Sequence, residues 1–473
     1  MRPAMCYIRR SPERRARRLH ARGPAPPNQE RTLETGWHPH VTRPTIPSIR
    51  IPFRRHTLGN GMRVVAHEDR AAPIVAVHLM YHAGSRHEVP GRTGLAHLLE
   101  HLMFEGSQHA PKGAFDDLLE RAGGTNNGST WLDRTEYHEV VPSHAVELAL
   151  WLERDRMAHF LPVLSEEMLE LQRGVVINER KQHYENRPYG LADERLGQLL
   201  FPGEHPYGWP TIGYIPDLEA ITLDDARTFY GTYYTPSNSV LVFAGDIAAD
   251  DAFELAERYY GDLPAGPPLP ERPPVPAPAA GHRRETLPDR VTFPRVYRAW
   301  DVPAYGTPDW VALDVLAYLL ADGDSSRMQR ALVRDGRIAQ ETDTYLYPTE
   351  LRGVFGAVAT SRTGVAPEAL EEAIGRTIAG VAAGGATEAE LTAALRRVRR
   401  DQVAELATVE GRAESLAYAA TTLGGPERLD ELMEAYARVG PEDLARVAGE
   451  HLRADAGATV VVVPAAEEAR DAA

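Results

Sequence analysis

The stretch Gly94-Leu-Ala-His-Leu-Leu-Glu-His-Leu-Met-Phe104 places three ionisable residues in an otherwise apolar, helix-like segment. His97, Glu100 and His101 stand at positions i, i+3 and i+4, so in a helix their side chains share one face. Burying such groups without partners costs on the order of 2–7 kcal/mol for each group. A zinc ion would offset this cost, because two neutral imidazoles one helical turn apart suit its preference for nitrogen ligands.

The order His-x-x-Glu-His is the inverse of the commoner His-Glu-x-x-His, and both patterns are typical of metallopeptidases. In such sites a carboxylate that is not itself a ligand can take a proton from water. The alternative interpretation is a pair of hydrogen-bonded core histidines beside an exposed glutamate. It is disfavoured because an apolar helix rarely carries three ionisable residues on one stripe.

A catalytic zinc site needs a third protein ligand and one open position. Sequence spacing alone does not choose this ligand. The eligible residues are acidic or histidine side chains downstream of the motif: Asp133, Glu136, His138, Glu170, Glu179 and Glu185.

With these motifs the chain resembles the pitrilysin-type (inverzincin) zinc metallopeptidases. Within them it is most similar to the roughly half-length branch that includes bacterial processing-type peptidases and the beta subunit of the mitochondrial processing peptidase. The resemblance runs from about Phe53 to Val463. The segments that carry it are His97–Ser107, Ala122–Thr130, Asp133–Tyr137 and Gln172–Glu179.

The resemblance implies a role for each residue of the predicted site. It selects Glu179 as the third ligand, so that His97, His101 and Glu179 would bind one Zn²⁺ per chain. Glu100 would be the general base that takes a proton from water and passes it to the leaving amine. Gln172 stands where many relatives carry a glutamate; it can hydrogen-bond a ligand or the substrate, but it carries no charge.

The resemblance also implies a surface for the substrate. Asn126, Asn127 and Thr130 precede a strand that, in the family, lies at a sheet edge beside the metal. Such an edge can accept an extended peptide as an added strand. We therefore expect these three residues to bind substrate; the alternative is a Gly/Asn-rich turn before an ordinary strand.

Active relatives also position the substrate with an arginine and a tyrosine that stand seven residues apart in the second half of the chain. Here the matching positions hold Val333 and Gln340, whereas Arg334 and Arg337 are off register. We therefore expect a dimer in which another chain supplies the missing pair, such as a homologue without the zinc motif.

The resemblance implies an α+β fold with two similar domains in tandem, each a mixed β-sheet packed against helices. The proline-rich segment 264–281 reads as an extended linker between them. The predicted organisation is a disordered basic arm (1–50), a zinc-binding peptidase domain (51–263), the linker (264–281), a metal-free peptidase-like domain (282–465) and a tail (466–473). In the second half, Asp314-Val-Leu-Ala-Tyr318 stands in place of the motif, so one metal site is expected.

The patterns also predict individual elements. Strands are expected at 63–67, 74–81, 130–141, 239–244 and 458–463, with a pair around 340–360. Besides the motif helix, helices are expected at 113–122, 143–159, 165–185, 249–260, 308–321, 325–335, 366–383 and 387–407.

Composition limits the remaining possibilities. A chain of 473 residues is expected to form two to four units. Cys6 is its one cysteine, which excludes an intrachain disulfide framework. No apolar run of about 18 residues occurs, so no membrane span is predicted. Without a signal-peptide pattern, we expect a cytoplasmic location.

Charge is unevenly distributed along the chain. Residues 1–55 contain thirteen arginines and three acidic residues, a net charge of +10, so in a chain of net charge −15 the remainder carries −25. The proline-rich basic arm is typical of a disordered tail, with a mitochondrial presequence as the rival interpretation. The acidic body argues against nucleic acid as a partner and favours basic peptides.

These observations predict a zinc-dependent metalloendopeptidase that hydrolyses oligopeptides or unfolded protein segments. The first alternative is a non-catalytic scaffold or assembly subunit of the same fold. The second is a zinc-dependent hydrolase of small molecules at the same site.

Overall fold

The computed structural model describes residues 49–271 and 275–465. The predicted basic arm, with Cys6, lies outside the described residues except for its last two positions, and so does the predicted tail. No helix in the described ranges is long and apolar enough to cross a membrane.

The first half of the chain contains six strands and eight helices among its described residues. The strands are β1 (Arg54–Thr57), β2 (Arg63–Glu68), β3 (Ile74–Tyr81), β4 (Thr125–Thr130), β5 (Thr135–Pro142) and β6 (Ser239–Gly245). The helices are α1 (Leu95–Met103), α2 (Ala114–Arg121), α3 (Val146–His159), α4 (Glu166–Arg180), α5 (Ala192–Leu200), α6 (Ile215–Ala220), α7 (Leu223–Tyr233) and α8 (Ala249–Tyr260).

The second half contains five strands and six helices in the part that the structure describes. The strands are β7 (His282–Asp289), β8 (Arg295–Val302), β9 (Ala339–Tyr347), β10 (Gly353–Ser361) and β11 (Gly457–Pro464). The helices are α9 (Pro308–Ala321), α10 (Pro367–Gly384), α11 (Glu388–Glu405), α12 (Val409–Thr422), α13 (Arg428–Arg438) and α14 (Pro441–His451).

The two halves form two sheets that share the order of five strands, and β1 has no counterpart in the second sheet. The first sheet has the order β1-β2-β6-β3-β5-β4 and the second the order β7-β11-β8-β10-β9. In each sheet, the strand that comes last in its half lies between two others. β6 pairs in parallel with β2 and antiparallel with β3. In the same way, β11 pairs in parallel with β7 and antiparallel with β8. The predicted α+β fold of two similar units is therefore confirmed.

The correspondence also aligns the helices. The motif helix α1 follows β3 and precedes β4, and α9 follows β8 and precedes β9 in the same way. The segment Asp314–Tyr318 therefore lies in the helix equivalent to α1, as the sequence predicts.

The central strands β3 and β6 of the first sheet are buried on both faces because they are apolar at successive positions. Side chains of a strand alternate between faces. On β3, Val75, Val77 and Leu79 join the core that contains α1 and α3, whereas Ala76 and Met80 face a second cluster. This continuous apolar pattern explains why β3 and β6 are recognisable in the sequence.

The second cluster is made by a helix from the other half. Ala413, Leu416 and Ala417 of α12 pack on this face of the first sheet, against β3 and β6. In return, Leu196 and Leu200 of α5 pack on β8 and β11 of the second sheet. Each half thus covers one face of the other half's sheet.

Three predicted elements need correction. The expected strand at 130–141 is wrong at its start: the region is a hairpin of β4 and β5, with a turn between Thr130 and Thr135. The expected helix at 165–185 is α-helical only to Arg180 and then passes into a π-helical turn, Lys181–Glu185. The expected helix at 325–335 is reduced to a short segment with π-helical hydrogen bonding at Gln329–Arg334.

The proline-rich segment has neither helix nor strand at its described positions, 264–271 and 275–281. It still contacts the body of the protein, since Ala279 N donates to Leu200 O at 2.8 Å. The domain boundaries remain a prediction, because the exchanged helices α5 and α12 cross any simple division at this segment.

The exchange of helices predicts the effect of a core substitution. Leu416 lies on α12 and is fully buried against the first sheet. Leu416→Ala should therefore reduce the free energy of unfolding by about 2–5 kcal/mol. Urea denaturation followed by circular dichroism measures this change.

Val403→Ala is the matched control, because Val403 lies on the neighbouring helix α11 and is 51% exposed. It should change the unfolding free energy by less than about 0.5 kcal/mol. Equal destabilisation by both substitutions would contradict this packing.

Candidate active site

The N-terminus of α1 is fixed by a buried carboxylate that the sequence did not single out. Glu88 accepts hydrogen bonds from the backbone N–H of Gly94 (3.0 Å) and of Ala96 (2.8 Å). Trp209 Nε1 also donates to Glu88, at 3.1 Å. These bonds satisfy N–H groups that have no partner within the helix, while burial raises the pKa of Glu88 to about 8.

Gly94 is required where α1 begins. Its φ is +90°, and a Cβ there would lie 2.7 Å from Ile212 O, so a side chain would be both strained and blocked. From this start, Leu98, Leu99 and Leu102 enter the core, and the polar stripe turns away from it. His97 and His101 keep 14% and 18% of their side chains exposed, which leaves the site open to a ligand.

The third residue of the site comes from α4, which packs against α1. The side chain of Ser165 caps α4 by accepting a hydrogen bond from Met168 N. Gln172, Val176 and Glu179 lie on one face of α4 at heptad-like spacing, and the first two are buried. Directly after Glu179, Arg180 donates to Gly213 O at 2.9 Å and fixes the end of the helix.

His97, His101 and Glu179 converge at one point. Glu179 Oε2 is 3.4 Å from His101 Nε2 and 3.8 Å from His97 Nε2. The two ring centroids are 4.7 Å apart. Donor atoms at 2.0–2.2 Å from a tetrahedral zinc ion stand about 3.3 Å from one another. The nitrogen and oxygen donors present here therefore fit a zinc ion in both type and spacing.

The other residues that spacing left eligible as third ligand have different partners. Among the described residues, only Glu179 forms a cluster with both histidines of the motif. The others form ion pairs elsewhere: Asp133 with Arg86, Glu136 with Arg134, His138 with Glu410, Glu170 with Arg173 and Glu185 with Arg180.

Burial and mutual charge set the protonation of the two rings differently. Burial, reinforced by repulsion from His101, lowers the pKa of His97 to about 4. Burial also acts to lower the pKa of His101, but its hydrogen bond with Glu179 and the charge of Glu100 raise that pKa overall. His97 is therefore neutral near pH 7 and available as a ligand.

The two carboxyl groups are also shifted in opposite directions. Burial raises the pKa of Glu100 to about 7, although a hydrogen bond from Thr130 and the charge of His101 oppose the rise. Burial acts in the same sense on Glu179, but its hydrogen bond with His101 and the charge of His97 lower its pKa overall. A pKa near the working pH suits a group that accepts and returns a proton.

Gln172 links the site to the loop after α1. It forms a hydrogen bond with His101, and its Nε2 donates to Glu105 Oε1 at 2.7 Å. Since the amide nitrogen is committed to Glu105, the amide oxygen is the atom left to accept the ring N–H of His101. Lys112 Nζ lies 2.6 Å from the other oxygen of Glu105.

The predicted substrate residues lie in the edge strand itself and not before it, which corrects the sequence-based placement. β4 pairs only with β5 in the described sheet, so its outer backbone edge has no strand partner there. Thr130 reaches Glu100. The side chain of Asn126 donates to Asp116 at 2.9 Å, and Asn127 Oδ1 accepts from Gly128 N.

Comparison with known families matches both halves of the chain. Residues 63–201, which include the site, match the model described as insulinase (peptidase family M16). Residues 220–398 match the model described as the peptidase M16 inactive domain. The zinc protease PqqE of Helicobacter pylori is 30% identical over 419 residues, which cover 86% of this chain and 92% of that protein.

The chain belongs to peptidase family M16. A crystal structure of a protease from Helicobacter pylori superposes with a TM-score of 0.80 at 28% identity, over 88% of this chain and all of that one. The probable beta subunit of the mitochondrial processing peptidase of Arabidopsis thaliana is 25% identical over 69% of this chain and 61% of that protein.

The shifted pKa of Glu100 predicts how stability depends on pH in chelator-treated protein. Its folded-state pKa, about 7, lies above the ordinary value of 4.5. The stability that protonated Glu100 contributes to the folded state is therefore fully present below about pH 4.5 and is lost as pH rises through 7. Glu100→Gln, which cannot ionise, should therefore gain stability relative to wild type between pH 5 and 8, by on the order of 3 kcal/mol at most.

Urea denaturation at the two pH values measures this difference. Glu167→Gln, on an exposed position of α4, is the control and should follow the wild-type profile. Parallel profiles for Glu100→Gln and wild type would show that Glu100 has an ordinary pKa.

Proposed function

We propose that this chain is a zinc-dependent endopeptidase that hydrolyses oligopeptides or unfolded protein segments. The observation that carries the proposal is the approach of Glu179 to within 3.8 Å of both His97 and His101. An ionised carboxylate and two imidazoles form a donor set that suits zinc with one position left open. The names of its relatives, which include a zinc protease, support the same activity.

In this proposal His97, His101 and Glu179 hold the ion, and Gln172 orients the ring of His101 through its hydrogen bond. Zinc bound there would polarise the scissile carbonyl and acidify water. Glu100 accepts the proton from water and delivers it to the leaving amine. The hydrogen bond from Thr130 keeps the carboxylate of Glu100 in place for both transfers.

The outer edge of β4 is the proposed binding surface for the peptide. α1 packs against β4, which brings this edge beside the zinc-binding stripe. Unpaired backbone groups of an edge strand can hydrogen-bond an extended peptide with little demand on its side chains. Asn126, Asn127 and Thr130 would flank the peptide along this edge. Such binding favours unfolded substrates, because a folded segment does not offer a free backbone.

The division of roles predicts the effect of Glu100→Gln. The substitution should lower peptide hydrolysis by about 10²–10⁴-fold, because it removes the proton acceptor, while the zinc content stays equal to that of wild type. Cleavage of a quenched fluorescent peptide library and metal analysis by mass spectrometry measure the two effects.

Glu167→Gln serves again as the control and should retain wild-type hydrolysis. Wild-type hydrolysis by Glu100→Gln would contradict the proposed mechanism. Absence of both zinc and chelator-sensitive cleavage in the wild-type chain would instead favour the alternative function, a non-catalytic subunit of the same fold. The match to an inactive-domain model favours that alternative, but it lies outside the site, at residues 220–398.

We also propose that a second chain completes the substrate site. At the two positions where relatives would place the positioning pair, Val333 packs against the core of the second half, and Gln340 Nε2 donates to Ser361 O at 2.7 Å. Arg334 lies near its neighbour Asp335, and Arg337 has a φ of +50° in the turn before β9. None of these four residues substitutes for the pair in the expected register.

This proposal predicts that peptide hydrolysis by the purified chain rises when a homologous partner is added. The added partner should itself lack a zinc motif, so that any new activity arises at the site described here. Co-purification from native cells identifies the partner to be used. Full turnover by the chain alone, unimproved by any partner, would exclude this proposal without affecting the metal site.

A further inference from the structure

A second group of metal-ligating side chains lies outside the site described above. His109 belongs to the loop between α1 and α2, and Asp155 and His159 are one turn apart on α3. One donor atom from each of the three residues lies within 4.8 Å of the others. The spacing Asp155-x-x-x-His159 is the i, i+4 arrangement that places two ligands on one helix face.

Two of the three side chains are already hydrogen-bonded to each other, and the third lies beside them. His109 Nδ1 lies 2.5 Å from Asp155 Oδ1, and the backbone N–H of His109 donates to Asp155 Oδ2 at 3.1 Å. Ser107 Oγ also donates to Asp155 Oδ2. The rings of His109 and His159 are 4.9 Å apart and perpendicular. A metal ion would therefore enter between side chains that already lie close together, and it would replace the hydrogen bond between His109 and Asp155.

No lysine or arginine among the described residues forms an ion pair with Asp155. Asp155 is 4% exposed, and the only ion pair it forms among the described residues is with His109. A third cluster, Asp309, Glu450 and His451, has similar spacing. There, however, Arg446 pairs with both carboxylates, at 2.7 and 3.0 Å, and takes the place that a cation would occupy.

We propose that His109, Asp155 and His159 form a second, non-catalytic site for a divalent transition-metal ion such as Zn²⁺. Two imidazoles and one carboxylate match the ligand preference of zinc, and the 51% exposure of His109 leaves room for water as a further ligand. The proposal does not require that the chain has the proposed catalytic function.

The position of the site indicates what the ion would do. It would join the loop at 104–113 to the last turn of α3, where Gln108 N already donates to His159 O at 3.1 Å. The same loop carries Glu105, which binds Gln172 beside His101. An ion at the second site would therefore hold in place the loop that supports the first site.

The test is equilibrium dialysis of the full chain against micromolar Zn²⁺, followed by metal quantification. Wild type should bind two ions per chain, and His97→Ala/His101→Ala should bind one. Combining these changes with His109→Gln should abolish the remaining ion. His109→Gln alone should bind one ion. Because His109 is a half-exposed loop residue, we expect this variant to keep its fold.

His144→Ala is the matched control, since His144 is an exposed histidine of the same half, and it should still bind two ions. A rise in the melting temperature of His97→Ala/His101→Ala on addition of Zn²⁺, absent after His109→Gln, would support the same conclusion. The proposal is overturned if His97→Ala/His101→Ala binds no zinc, or if His109→Gln leaves the zinc content of wild type unchanged. Failure of the catalytic site gives a different pattern, in which only the His109 substitution removes zinc.

Discussion

The rest of the site depends on the contact between α4 and α1. This contact brings Glu179 Oε2 within 3.4 Å of His101 Nε2. Each helix is fixed by its own means. Glu88 binds the N-terminus of α1, and Arg180 anchors the end of α4 to Gly213. These attachments position both helices so that three donor atoms from distant parts of the chain lie close together. The same contact lowers the pKa of Glu179, so its carboxylate is ionised at neutral pH.

The duplicated topology supplies two equivalent helices, of which, among the described residues, one carries the zinc motif. Each half has the same sheet order and a helix after its second shared strand. In α9 this helix is almost entirely buried, whereas α1 keeps a polar stripe that faces α4. The exchange of α5 and α12 between the sheets then binds the two halves together through apolar surfaces. The second half therefore supports the first sheet directly, even though it contributes no residue to the metal cluster.

Local patterns predicted much of this structure, and their limits have physical reasons. The apolar strands β3 and β6 and the stripe of α1 are visible in the sequence because burial imposes their periodicity. The strand β4 was not predicted, because Thr125-Asn-Asn-Gly-Ser-Thr130 has no apolar alternation; its pairing with β5 decides its conformation. Glu88 gave no local signal, since one of its partners, Trp209, is distant in the chain. Spacing left six candidates for the third ligand, and only the family resemblance selected Glu179 before the fold brought it to the histidines.

The most direct test of this account is anomalous X-ray diffraction at the zinc absorption edge from crystals of the zinc-loaded chain. The account predicts an anomalous peak at about 2.0–2.2 Å from the side chains of His97, His101 and Glu179, with Glu100 outside bonding distance. A zinc ion bound without Glu179, or no ion between α1 and α4, would contradict it.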